Sequence, residues 1–76
     1  METTTMKHRQ YSDDSGELVF HEYTIFTGSK EAAIDAATTA QPLFSEGPGH
    51  KFCKVDNVAK LSPTAWLVTL VIGWDV

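Results

Sequence analysis

Ala65-Trp66-Leu67-Val68-Thr69-Leu70-Val71-Ile72-Gly73-Trp74-Asp75-Val76 is the stretch on which the fold turns. It is rich in β-branched and aromatic residues, contains no proline and is punctuated only by Gly73. Such a composition reads as a strand. Trp66, Val68, Leu70, Ile72, Trp74 and Val76 share one parity, and Leu67, Thr69 and Val71 share the other. A strand apolar on both faces needs cover on both. The tryptophan-bearing face is expected to meet a helix. The second face is expected to be left short of cover, which makes Leu67, Thr69 and Val71 candidate partner contacts. Trp74 joins them, because aromatic side chains anchor interfaces.

Working back from this strand, Ser62-Pro63-Thr64 reads as a turn and Lys51 to Leu61 as its hairpin mate. Cys53, Val55, Ala59 and Leu61 share one parity there, and Lys54, Asp56 and Lys60 the other. Asp56-Asn57 is unfavourable in a strand and marks a bulge. Gln41 to His50 is a loop holding Pro42 and Gly47-Pro48-Gly49. Before it, Lys30 to Gln41 reads as a helix with Ser29 as N-cap, Glu31 in the first turn and Pro42 as its stop. Its apolar face is Ala33, Ile34, Ala37 and Ala40, so small-sided that the helix must approach the sheet closely, with Leu43 and Phe44 capping the contact.

Two further strands are expected upstream, Thr3 to Tyr11 and Glu17 to Thr27, around a Ser12-Asp13-Asp14-Ser15-Gly16 turn. A loop of Asp13 to Gly16 would set Ser12 against Glu17, Lys7 against Glu22 and His8 against His21. A disordered tail over residues 1–10 is the other reading of the first of these segments. The order is therefore (β)-β-α-β-β in a single domain over residues 1–76. The expected product is an α+β two-layer sandwich, a three- or four-stranded antiparallel sheet with one helix on one face.

A chain of 76 residues buries only about 60% of its unfolded surface, so its margin is thin without a staple. The single cysteine, Cys53, forms no internal disulfide and points to a reducing compartment. Oligomerisation is the remaining route to a larger core. No secretory leader is read in Met1 to Gln10, and the longest apolar run falls short of the roughly 20 residues that span a bilayer. A soluble cytoplasmic protein is expected, and its net charge of −4 argues against nonspecific nucleic-acid binding.

Gly47-Pro48-Gly49-His50-Lys51 lacks the spacing of a phosphate loop and precedes a strand rather than a helix. His8, His21, His50 and Cys53 are of the type that binds zinc, but paired motifs of the CxxC kind are absent, and no metal is expected. Cys53 lies three residues from His50, which on a strand sets them on opposite faces, so Cys53 reads as a small core residue. Asp13-Asp14 sits in a turn. No catalytic constellation emerges, and a non-enzyme is expected.

Trp66-Leu67-Val68-Thr69-Leu70-Val71-Ile72-Gly73-Trp74, with the Gly28-Ser29 approach to the helix, resembles the dodecins over Tyr23 to Trp74. These are small flavin-binding β-α-β-β proteins that assemble into hollow dodecamers. The resemblance implies a homo-oligomer with flavin held between aromatics, and cofactor contacts at Phe52 and Leu67. Phe52 stands nearest the place of the tryptophan that stacks on the flavin in that family, and Leu67 stands at the place of its flavin-bonding glutamine. The leading expectation is nonetheless a small non-catalytic protein-interaction or regulatory module acting through its sheet face or edge. It would work by self-association or on a protein partner, and in size and charge it is similar to phage-encoded inhibitors of host proteins. A dodecin-like carrier of flavin or another planar ligand is the alternative. Nucleic-acid binding through Lys51, Lys54 and Lys60 with Phe52 comes third.

Overall fold

The computed structural model describes residues 5–45, 49 and 51–74. It contains β1 (Met6–Ser12), β2 (Val19–Ile25), α1 (Lys30–Ala40), a two-residue β3 (Phe44–Ser45), β4 (Lys51–Ser62) and β5 (Ala65–Trp74). The strands form one antiparallel sheet in the order β1-β2-β5-β4-β3. With its single helix, this is the expected α+β arrangement. Met6–Gln10 belongs to a strand; Thr3, Thr4, His50, Asp75 and Val76 lie outside the described residues.

β5 occupies the centre, between β2 and β4. Its position follows from its composition, since a strand apolar on both faces is least costly where neighbours flank it on both sides. Trp66, Val68, Leu70 and Ile72 face the helix, where Tyr23, Ile25, Ala33, Ala37 and Cys53 complete the core. Ser29 caps α1 by accepting from the Ala32 N–H, and the Gln41 N–H closes the other end on the Ala37 carbonyl at 2.8 Å. Ala33 and Ala37 are fully buried, so the small-sided face does sit directly on β2 and β5. Phe44 packs against the same core, whereas Leu43 is exposed.

Eleven helical residues span about 16 Å, while the ten of β5 span about 33 Å. Trp74 therefore shares the helix-facing parity yet is 64% exposed, beyond the end of the helix. On the other face, Thr69 and Val71 are each only 4% exposed. The expected shortage of cover is made good there by neighbours in the sheet. Glu22 and Asn57 flank Thr69, and Phe20 and Lys54 flank Val71. Leu67, between Thr24 and Ala59, stays half-buried.

The β1–β2 register differs by two residues from that expected. His8 pairs with Tyr23, Arg9 with Glu22 and Lys7 with Thr24, because the loop runs from Asp13 to Leu18. Asp13 sets this length. Its N–H donates to the Leu18 carbonyl at 3.0 Å, and its carboxylate accepts from the Leu18 N–H and the Ser15 hydroxyl. Gly16, at φ +77°, donates to the Asp13 carbonyl. A two-residue slip keeps every side chain on its face, so the expected faces survive although the pairs change. An Arg9–Glu22 ion pair at 2.7 Å stands where Lys7–Glu22 was expected.

Burial acts to raise the Asp13 carboxyl, but the bonds from Leu18, Ser15, Gly16 and Glu17 outweigh it and hold the group below the usual aspartate value. A carboxyl depressed in the folded state contributes stability above its unfolded pKa, and loses it as pH falls through the folded one. Hydrogen exchange at the Leu18 amide is therefore expected to accelerate below about pH 4, beyond the intrinsic trend, and an Asp13→Ala variant should lack that acid-dependent step. Equal protection in wild type across this range would contradict it.

In β4 the register shifts between Val55 and Asn57, so the bulge expected at Asp56-Asn57 is present. It reverses the parity beyond it. Val58, not Ala59, joins Cys53 and Val55 against the core, and Lys60 lies on the helix side with its Nζ 5.8 Å from the centre of the Trp66 ring. Leu61 is consequently 54% exposed at the second irregularity.

Candidate recess at the uncovered end of the sheet

Because α1 stops short, the helix-side face keeps an open end. Val19 and Ile72, directly paired, form the floor of a recess of about 520 Å³ there. Trp74 and its cross-strand partner Lys51 form one wall, Gln10 and its partner His21 form the other, and Glu17 of the hairpin loop stands at the rim. Each position follows from register, since all but Glu17 are strand residues of one parity. Gly73 lies beside it, and a Cβ there would meet Leu18 Cδ2 at 2.5 Å and Phe52 Cζ at 3.1 Å. A side chain at this point would require the Leu18 side chain, and to a lesser degree the Phe52 ring, to move aside.

His21 also meets His8. Their register makes them diagonal neighbours on one face, His8 Nε2 lies 2.8 Å from His21 Nδ1, and the ring planes differ by 3°. A centroid separation of 5.0 Å at that angle describes rings edge to edge in nearly one plane, joined by a hydrogen bond. His8 in turn stacks on Tyr23, with centroids 4.6 Å apart. Burial, followed by the positive charges of His8 and Lys51, holds His21 below the usual histidine value. Tyr23 is raised by burial, with a smaller contribution from Cys53.

The residues singled out in the sequence are dispersed. Phe52 is opposite Gly73 and Leu67 opposite Ala59, so both lie on the face away from the helix. Gly73 lies six positions along β5 from Leu67, or about 20 Å. One planar ligand can meet both side chains only across a boundary between subunits. Cys53 is buried in the core, where desolvation raises its thiol more than Lys51 lowers it. It stands on β4 and His21 on β2, two strand spacings or roughly 10 Å apart, too far to share a zinc ion with bonds near 2 Å. Among the described residues no group of three or more His, Cys, Asp or Glu side chains is placed to hold a metal. Lys54 projects from the open face, whereas Lys51 and Lys60 lie on the helix side, so the three lysines do not line one surface.

The open face also carries a cluster that sequence reading did not assemble. Tyr11 stacks on Phe20 at 5.1 Å, the Arg9 guanidinium lies 5.0 Å from the Tyr11 ring centre, and Glu22 holds Arg9. Strand parity alone put these residues on one face; the register that makes them touch depended on the Asp13 loop. No helix among the described residues is long and apolar enough to cross a membrane. No family model, curated protein or solved structure matches the chain.

Proposed function

We propose that the protein is a small non-catalytic interaction module whose contact surface is the uncovered end of its sheet, with Trp74 as anchor. The exposure of Trp74 beside an apolar-floored recess carries this reading. Tryptophan is enriched among the residues that anchor interfaces, and a recess with an apolar floor and a few polar groups on its walls is a shape that can receive a partner's side chain. Thr69 and Val71 belong to the floor of the opposite face, where their contribution is to hold the sheet together. Leu67 and the Tyr11–Phe20 pair offer that face a secondary contact.

Self-association is the first form this takes, since a thin core gains most from a second copy. A heterologous partner would make the chain an inhibitor or regulator of a larger protein, as small phage-encoded chains are. Sedimentation across a concentration series tests the reading. Wild type is expected to associate, with Trp74 fluorescence shifting to the blue, and Trp74→Ala should weaken association by about tenfold or more. A chain that stays monomeric throughout, with unshifted fluorescence, would count against self-association. Val71→Lys is a poor probe of the interface, because it would place a charge at a closed position in the central strand.

Carriage of a planar ligand is supported by Phe52, a half-buried ring on the open face with Lys54 Nζ 5.3 Å from its centre. Flavin fluorescence quenched on titration would support that alternative; unquenched flavin would remove it.

A further inference from the structure

We propose that the free edge of β1 is a homodimer contact, in which two copies pair β1 with β1 antiparallel about a two-fold axis at Gln10 and join their sheets into one. The ladder to β2 fixes which backbone groups are available. At its two ends the Phe26 N–H donates to the Thr5 carbonyl and the Asp13 N–H to the Leu18 carbonyl, each at 3.0 Å. Bonded and non-bonded positions alternate along an antiparallel pair. With the register unbroken between those ends, Lys7, Arg9 and Tyr11 turn their N–H and C=O groups toward β2. Met6, His8, Gln10 and Ser12 turn theirs outward.

The two edges of the sheet are not alike. The outer edge of β4 is covered by β3 at Phe52 and Cys53, and beyond them it carries Lys54, Asp56 and Lys60 and is broken by two register shifts. Short cover, charges and bulges are the devices that keep an edge from pairing. β1 has no proline, glycine or bulge, its register is continuous, and every residue is exposed. Its only guards are Lys7 and Arg9, and these admit one register of self-pairing.

Two-fold symmetry and outward-to-outward bonding leave few ways to pair β1 with itself. Centred on Lys7, His8 or Arg9, the pairing opposes Lys7 with the partner's Lys7, Lys7 with the partner's Arg9, or Arg9 with the partner's Arg9. Like charges directly opposite are destabilising. Centred on Gln10, it sets Lys7 against the partner's Asp13 and Arg9 against the partner's Tyr11, each twice by symmetry. Within one chain the Arg9 guanidinium already lies 5.0 Å from the Tyr11 ring centre, so the second contact repeats an attraction these side chains make. Centring on Tyr11 shortens the overlap to Arg9–Asp13 and leaves Lys7 without its acid. Charge complementarity therefore selects a second copy, in one register, as the occupant. The edge lies two strands out from Trp74 on β5, so this contact does not rest on the recess.

Amide hydrogen exchange of the full chain, followed residue by residue by NMR across a dilution series, tests the pairing. When dilute, the His8, Gln10 and Ser12 amides should exchange unprotected; when concentrated, they should slow by about tenfold or more. The Lys7, Arg9 and Tyr11 amides should stay protected throughout. Lys7→Glu opposes like charges at the partner's Asp13 and should need about tenfold more protein for the same effect. Trp74→Ala should leave the protection as it is in wild type. Outward amides that stay unprotected at every concentration would overturn the proposal, and so would protection unchanged by Lys7→Glu or lost in Trp74→Ala. A cysteine variant checks the register. Residues opposite one another in a hydrogen-bonded pair have Cα atoms about 5.5 Å apart, within reach of a disulfide. Under mild oxidation Gln10→Cys should link two chains faster than His8→Cys or Tyr11→Cys, since Cys53 is buried and does not compete. Faster linkage at position 8 or 11 would refute the axis at Gln10.

Discussion

Leu70→Ala is expected to remove about 2–5 kcal/mol of stability, the range for emptying a fully buried leucine site. Leu70 is fully buried on the central strand, opposite His21 on one side and Val55 on the other, in the core cluster that includes Ala33 and Ala37 of the helix. A domain of this length holds about 4–11 kcal/mol in total, so the loss is between a fifth and the whole of it. The fully buried helical residues facing this core are Ala33 and Ala37, with Ile34 only partly buried beside them, so little side-chain volume is at hand to fill the space. Urea unfolding checks the outcome through a lowered midpoint. Leu61→Ala is the control: an exposed leucine at a strand irregularity should move stability by no more than about 0.5 kcal/mol. If the two variants unfold alike, the assignment of the core is wrong.

Ala37→Leu acts from the other side of the same contact. Ala37 is fully buried and, with Ala33, sets how closely α1 lies on the sheet. Three added carbons have no void to enter, so the helix must lift or neighbouring rotamers must strain, at a cost of about 1–3 kcal/mol or more. Leucine has nearly alanine's helix propensity, which isolates packing as the cause. Ala32→Leu, at an exposed position of the same helix, should be close to neutral. The expected result is a lowered urea midpoint, with hydrogen exchange rising first in α1. An unaltered midpoint for Ala37→Leu would mean that the helix stands farther from the sheet than the structure places it.

The sequence carried different amounts of information at different points. Ser29 was legible as a cap, Pro42 as a stop and Asp56-Asn57 as a bulge, because each rests on the local chemistry of one or two residues. The consequence of the bulge was not legible from simple alternation. One extra residue exchanged Val58 for Ala59 and Lys60 for Leu61 in the core-facing set, and so moved Lys60 away from the face that Lys54 occupies. The His8–His21 contact was expected, but as a directly opposed pair. It arises diagonally, because Asp13 closes a six-residue loop in place of a four-residue one. Phe52 and Leu67 were joined by resemblance, and the register places them far apart on one face.

Gln10 carried no signal of its own, and Lys51 was read only as a candidate nucleic-acid contact, although with Trp74 and His21 they make the recess. They meet only because the β1–β2 hairpin pairs through β2 with β5, whose other neighbour is β4. By itself, the sequence determined the helix, the four longer strands, their order and the apolar side of each strand up to the bulge in β4, since these depend on propensity and on a two-residue period. The short β3, in a segment that reads as a loop, exists only by pairing with β4. The place of Ala65–Trp74 at the centre, the closure of Thr69 and Val71 and the exposure of Trp74 were decided by tertiary structure. Flanking strands shield a central face, and an eleven-residue helix is too short to cover the strand beneath it.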